Sequence, residues 1–242
     1  KEHIKLVIEE IKAHKNHTSL NNTLCEKKMD VSLYDGNLIF KGFIDKLWYS
    51  SDKSYVAIID YKTGKDKESL DNLIYGENLQ LPVYIYLLKN DSEFKHANLV
   101  GFYLQKINIV LPKKDDGSLE EQIQKNLRLE GYTHPDYVDY IDDNRGEYLK
   151  NYKENKDTSV SKSSKIFNDK DVEDLFELVS KKVDEAYNGI MNANFDITAK
   201  RIDGVNISCE YCPFVDCCYK TDKDIVELKG KKWKEEDENA NE

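Results

Sequence analysis

No stretch of this 242-residue chain approaches the roughly 18 apolar residues that a membrane span requires. Its start, KEHIKLVIEEIK, lacks the layout of a secretory signal. Integral-membrane and exported readings are therefore set aside, and a cytoplasmic location is expected. A basic excess is missing as well: 36 Lys and Arg against 46 Asp and Glu give 36 − 46 = −10. Nonspecific nucleic-acid binding runs on cationic contacts to phosphate, so a chain this acidic needs a local basic path for it. Lys62, Lys65, Lys67, Lys106, Lys113, Lys114 and Lys200-Arg201 are candidates, although most such lysines are ordinary solvated surface. Apolar residues are lean at 39%, yet well above the level of a disordered, highly charged segment. A core can form, with the length of one domain plus appendages. Internal repeats are absent. The first residue is Lys, so a fragment of a longer chain is expected.

Along the chain, Ile4, Leu6, Val7, Ile8 and Ile11 recur at helical spacing and predict a surface helix to about Lys15. Asp30 to Tyr61 is rich in β-branched and aromatic residues, broken at Asp35-Gly36 and Ser50-Ser51-Asp52, and reads as a three-strand meander. Its third strand, from Tyr55, is apolar on both faces until Asp60 and so belongs in the sheet centre. QLPVYIYLLKN reads as a helix and Asn98 to Ile107 as another apolar strand. Strand, helix, strand indicates an α/β layered fold. Glu120 to Leu129 is helix-like, Asn151 to Lys165 is a Lys/Ser-rich loop expected to be flexible, and Asp169 to Asn192 carries the stripe of a long amphipathic helix expected to lie on the sheet. Residues 1–228 are read as a single domain, with a disordered charged tail over 229–242.

Three short motifs stand in order: Gly42-Phe43-Ile44-Asp45-Lys46, Ile59-Asp60-Tyr61-Lys62-Thr63-Gly64 and Gln80-Leu81-Pro82-Val83-Tyr84. Side chains alternate along a strand, so Asp60 and Lys62 share a face and Tyr61 points the other way. If the strand of Asp45 pairs with that of Asp60, two carboxylates and an ammonium converge. Close carboxylates repel unless a cation sits between them. A hard divalent ion, Mg²⁺ or Mn²⁺, held by Asp45, Asp60 and the Tyr61 carbonyl, would relieve this and polarise a phosphoryl oxygen. Lys62 would orient or deprotonate the attacking water, or stabilise the charge developing on phosphorus. A lone Asp-x-Lys is more often a solvated strand end, and the flanking motifs are what raise the chemical reading above it. Gln80 and Tyr84 stand four apart, one face of a helix. Pro82 between them favours a helix that begins at proline and leaves Gln80 outside it.

Together, G-x-I-D-K, a strand ending D-Y-K-T-G, and Q-L-x-x-Y resemble the PD-(D/E)XK nuclease superfamily, in the branch of the RecB and AddB helicase-nuclease subunits and the stand-alone CRISPR-associated exonucleases. The resemblance implies a restriction-endonuclease-like α/β fold, a central mixed sheet flanked by helices. It implies metal binding by Asp45 and Asp60, catalytic assistance by Lys62, and a DNA path bordered by Gln80 and Tyr84. It also implies DNA as substrate, a helicase partner subunit or helicase region on the same polypeptide, and DNA-end processing in recombinational repair. A stand-alone exonuclease and a non-catalytic DNA-guiding or assembly module are the alternatives. The superfamily places a metal-binding His on a helix before the GxxD strand. His3, His14 and His17 lie in no matching context, His3 and His14 read as surface residues, and the preferred reading is that the true His lies upstream of Lys1.

Four of the five cysteines fall within ten residues, Cys209, Cys212, Cys217 and Cys218. In a reducing compartment such a cluster points to metal, zinc or iron-sulfur, rather than disulfides. The resemblance implies a C-terminal iron-sulfur (4Fe-4S) staple over residues 205–220, drawing on Cys209, Cys212 and Cys218, with a fourth ligand from far upstream. Cys25 is the one upstream cysteine; placed just before the first strand, it reads as an ordinary buried residue, so either the true fourth ligand is expected upstream of Lys1, or Cys25 or Cys217 substitutes for it.

Overall fold

A computed structural model describes residues 2–64, 69–108, 117–209 and 212–234, with the backbone alone at residues 2 and 3. It separates into two compact units, one of Lys1–Ser69 with Gln80–Val179 and one of Leu70–Leu79 with Ser180–Glu242. The cysteine segment, expected inside a single domain, belongs to the second unit.

The first unit opens with helix α1 (Glu2–Asn16) and the antiparallel strands β1 (Asn22–Leu33), β2 (Leu38–Tyr49) and β3 (Tyr55–Lys62). The meander is as expected, but β1 begins at Asn22, so Cys25 lies within a strand and is exposed rather than buried. Helix α2 (Gln80–Asn90) follows, then β4 (Asn98–Lys106) parallel to β3, helix α3 (Leu119–Leu127) and β5 (Glu130–Thr133) antiparallel to β4. The five strands run in the order β1-β2-β3-β4-β5, a mixed sheet. Ser118 starts α3 with a reciprocal capping box to Glu121. Val56 to Asp60 in β3 and Leu99 to Gln105 in β4 are buried throughout, as central strands with layers on both faces require. On one face Trp48, Ala57, Ile59 and Tyr103 pack with Leu20, Val138 of α4 (Val138–Ile141) and Leu149.

α2 covers sheet surface next to β2, and a glycine makes that approach possible. A Cβ at Gly42 would stand 2.4 Å from Leu87 Cδ1, well inside contact distance. Asp169 begins α5 (Asp169–Met191), close to its expected bounds. Phe176 of α5 stacks on Tyr86 of α2 with ring centroids 4.9 Å apart. The Lys/Ser-rich loop is tied by its own backbone: Ser161 N–H donates to Lys153 O and Lys165 N–H to Asn151 O.

The second unit holds a small sheet in which β6 (Ala199–Ile202) pairs with β7 (Val205–Asn206) antiparallel and with β8 (Ile225–Leu228) parallel. Asp203 and Gly204 turn between β6 and β7 with positive φ, as a tight two-residue hairpin demands. The charged tail, expected to be disordered from 229, is placed as far as residue 234. Tyr75 Oη donates to Lys229 O, and Asn72 exchanges hydrogen bonds with the Lys231 backbone. Residues 235–242 lie outside the described residues. Among the described residues no helix is long and apolar enough to cross a membrane.

Candidate active site

The β2–β3 register pairs Lys46 with Ile59, and the next antiparallel step brings Asp45 opposite Asp60. Asp45 Oδ2 accepts the Tyr61 amide at 3.0 Å, fixing this carboxylate against the strand that carries Asp60. Asp60 is only 1% exposed. Its Oδ1 accepts Gln80 Nε2 at 2.7 Å and Tyr84 Oη at 3.3 Å. Its Oδ2 faces Lys62 Nζ at 2.8 Å, yet no well-angled hydrogen bond reaches that oxygen.

Gln80 uses both ends of its amide. Nε2 also donates to Tyr84 Oη at 3.0 Å, while Oε1 accepts Lys62 Nζ at 2.6 Å. This requires α2 to begin at Gln80, which it does, with Pro82 inside the first turn where its missing N–H costs nothing. The expectation of a helix starting at Pro82 is thereby corrected. Asp60, Lys62, Gln80 and Tyr84 thus form a closed network with Asp45 at its edge. Lys62 lies on Asp60's face, while Tyr61 turns its ring to the other side, 5.4 Å from Lys46 Nζ.

Burial pushes the Asp60 carboxyl above the usual carboxylate range; Lys62 pulls it down and Asp45 adds to the rise. Burial likewise lowers Lys46, to about 8, while its ammonium sits 3.9 Å over the Trp48 ring. A buried carboxylate oxygen without a hydrogen bond, beside a second carboxylate, is an oxygen donor set suited to a hard divalent cation. The fit is partial: among the described residues no group of three or more His, Cys, Asp and Glu stands ready around one point.

The histidines lie elsewhere. His14 is buried, not at the surface: its Nε2–H donates to Ile141 O at 3.0 Å and its ring stacks on Tyr148 at 4.4 Å. His17 Nδ1 lies 2.8 Å from Asp143. The His3 side chain falls outside the described residues.

In the second unit the cysteines are free thiols, and the expected cluster donor set is not assembled among the described residues. Cys212 and Cys218 act electrostatically on the Lys220 ammonium, and Lys220 Nζ donates to Cys209 Sγ at 3.1 Å. That contact draws the Cys209 thiol below its usual range. Cys217 Sγ donates to Phe214 O at 3.5 Å, and Glu210 and Tyr211 are outside the described residues. Of the basic-path candidates, Lys200 is bound to Tyr75 O and Arg201 to Glu227, while Lys65, Lys67, Lys113 and Lys114 are not among the described residues.

Sequence reasoning missed one ion cluster on the active face. Glu130, 7% exposed, receives Lys106 at 3.2 Å and Lys150 at 2.6 Å. No motif flags Glu130 or Lys150, because their meeting depends on the β4–β5 pairing.

Comparison with known proteins points the same way. The chain is 29% identical over 194 residues to a subunit of the ATP-dependent helicase/deoxyribonuclease of Thermoanaerobacter sp. strain X514, covering 75% of this chain and 17% of that protein. The corresponding subunits of the enzymes from Carboxydothermus hydrogenoformans and Clostridioides difficile are 30% and 27% identical, over 73% of this chain and 17% of each relative. The chain therefore spans about a sixth of the length of these relatives. A profile of the PD-(D/E)XK nuclease superfamily matches residues 2–219, a span that holds every motif residue from Asp45 to Tyr84. With the mixed sheet and the Asp45–Asp60–Lys62 convergence, that match settles the assignment: the chain belongs to the PD-(D/E)XK nuclease superfamily.

Proposed function

We propose that this chain is the nuclease domain of a helicase-nuclease polypeptide and hydrolyses DNA phosphodiester bonds in a reaction dependent on Mg²⁺ or Mn²⁺. The observation that carries the proposal is Asp60: buried, bridged by Gln80 and Tyr84, faced by Lys62, and left with one oxygen that accepts no hydrogen bond. Asp45 and Asp60 would hold the cation, with the Tyr61 carbonyl as a third oxygen. When bound, such an ion supplies Lewis-acid polarisation of a phosphoryl oxygen and charge neutralisation. Lys62 then positions the attacking water or steadies charge on phosphorus, from a place fixed by Gln80 Oε1. Gln80 and Tyr84 hold Asp60 in one orientation and form the wall along which the strand lies.

The relatives are helicase/deoxyribonuclease subunits, which supports DNA as substrate and a helicase as partner, in cis or as a separate polypeptide. Exonucleolytic action, a role in recombinational repair and a cytoplasmic setting belong to this reading. A 4Fe-4S cluster held in the parent polypeptide by Cys209, Cys212 and Cys218 with a fourth ligand also belongs to this reading, although among the described residues no group of three or more His, Cys, Asp and Glu is gathered around one point.

The test is to incubate the chain with linear single- and double-stranded DNA and Mg²⁺ or Mn²⁺, beside Asp60→Ala and Lys62→Ala. Cleavage that needs the metal and disappears in both variants is the expected result. Cleavage that survives Asp60→Ala overturns the proposal, and DNA binding without cleavage in wild type favours a guiding module instead.

A further inference from the structure

The face that carries Asp60 and Lys62 does not end at β3. In the parallel β3–β4 pairing Asp60 stands beside Leu104 and Lys62 beside Lys106. In the antiparallel β4–β5 pairing Leu104 stands opposite Glu130. Residues side by side on neighbouring strands share a face, with strands about 4.8 Å apart. Asp60, Lys62, Lys106 and Glu130 therefore line one side of three successive strands, and Gln105 turns to the other, donating to Leu127 O at 3.0 Å.

The charges in this row do not balance. Glu130 Oε2 receives both Lys106 Nζ and Lys150 Nζ, and among the described residues Glu130 is the one carboxylate within ion-pair distance of either ammonium. Burial raises the Glu130 carboxyl, but the two ammoniums outweigh it and hold the group below the usual range, so it stays ionised. Two positive charges on one negative leave a surplus of one. Lys106 is only 16% exposed, whereas Lys150 is 45% exposed, so the surplus opens to solvent on one side and is held rigid on the other. A surface ion pair would stabilise little. A doubly occupied, largely buried carboxylate is instead a scaffold that holds two cations in fixed places.

We propose that Lys106 and Lys150, positioned by Glu130, form a second phosphate seat on the DNA path, one strand over from Lys62, that binds the backbone phosphate next to the one presented to Asp45 and Asp60. This rests on the nuclease reading and adds a substrate-positioning site to it. The occupant is a phosphodiester of a single strand. The charge is one, the neighbouring seat is reserved for the scissile phosphate, and ammoniums recognise phosphate without regard to base.

The test measures binding of a labelled single-stranded oligonucleotide in EDTA, by anisotropy across a series of salt concentrations. A lost phosphate contact lowers the slope of log affinity against log salt by about 0.7 for single strands. Lys106→Met and Lys150→Met are expected to show that loss, and Lys106→Arg to keep the wild-type slope. An unchanged slope in a folded Lys106→Met chain overturns the seat. If Lys106→Met does not fold, Lys150→Met decides, since its half-exposed side chain can be replaced without opening the core. Failure of wild type to bind DNA at all counts against the nuclease reading itself, and is thereby distinguishable from failure of the seat.

Discussion

Holding Asp60 ionised in a nearly solvent-free spot opposes folding at neutral pH. Burial lifts its folded-state value above the ordinary carboxylate value of the unfolded chain. Between those two values the folded chain binds more protons than the unfolded one, so stability falls as pH rises through the interval, and the cost is fully present above it. Asp60→Asn is therefore expected to raise the melting temperature at pH 7 without divalent metal by about 2–4 °C, the size of roughly 1 kcal/mol in a chain of this length. The gain should shrink as pH is lowered into the carboxylate range. A lower melting temperature for Asp60→Asn at pH 7 would show that the carboxylate is there for stability. The motif positions are legible in the sequence because two short periodicities carry them: alternation in β3 joins Asp60 to Lys62, and the i, i+4 step in α2 joins Gln80 to Tyr84. The exposure of Cys25 is not legible, because it depends on whether another layer covers that face of β1, which no local pattern reports. β1 is one of the two edge strands.

At the scale of elements, the approach of α2 to β2 decides whether Gln80 and Tyr84 reach Asp60 at all. Gly42 lets Leu87, fully buried, sit where any Cβ would be. Gly42→Ala is expected to cost about 1–3 kcal/mol by overpacking, measured as a lower urea midpoint. Gly42→Ala should cost less in a Leu87→Ala background than in the wild-type chain, since the side chain it clashes with is gone. An unchanged midpoint for Gly42→Ala would contradict the packing described. The order of strands and helices is legible because β3 and β4 are uniformly apolar and α5 has a strong amphipathic stripe. The pairing of β4 with β5 is not. β5 is four residues long and contains Gly131, whose lack of a Cβ lets the Phe102 carbonyl come within 2.1 Å of where one would stand. Glu130 and its two lysines are hidden with it.

For the molecule as a whole, His14 ties α1 to residues more than a hundred positions away, through Ile141 O and the Tyr148 ring. Burial holds its imidazole down to about 4 against an ordinary 6.5. In that window the unfolded chain takes up a proton that the folded chain refuses, so stability is lost as pH falls from about 6.5 towards 4, on the order of 3 kcal/mol across the range. His14→Phe should flatten that part of the stability curve, followed by urea unfolding at pH 7 and pH 4.5; an equal slope in both chains would rule the assignment out. What sequence does not convey here is distance: His14 reads as a surface residue because its partners lie on other elements. The most direct measurement of the central claim is calorimetric titration of Mn²⁺ into the wild-type chain and into Asp45→Asn, Asp60→Asn and Lys62→Met. The expected result is one site in wild type, weakened by ~100-fold or more in either carboxylate variant and retained in Lys62→Met. Equal Mn²⁺ affinity in wild type and Asp60→Asn would contradict it.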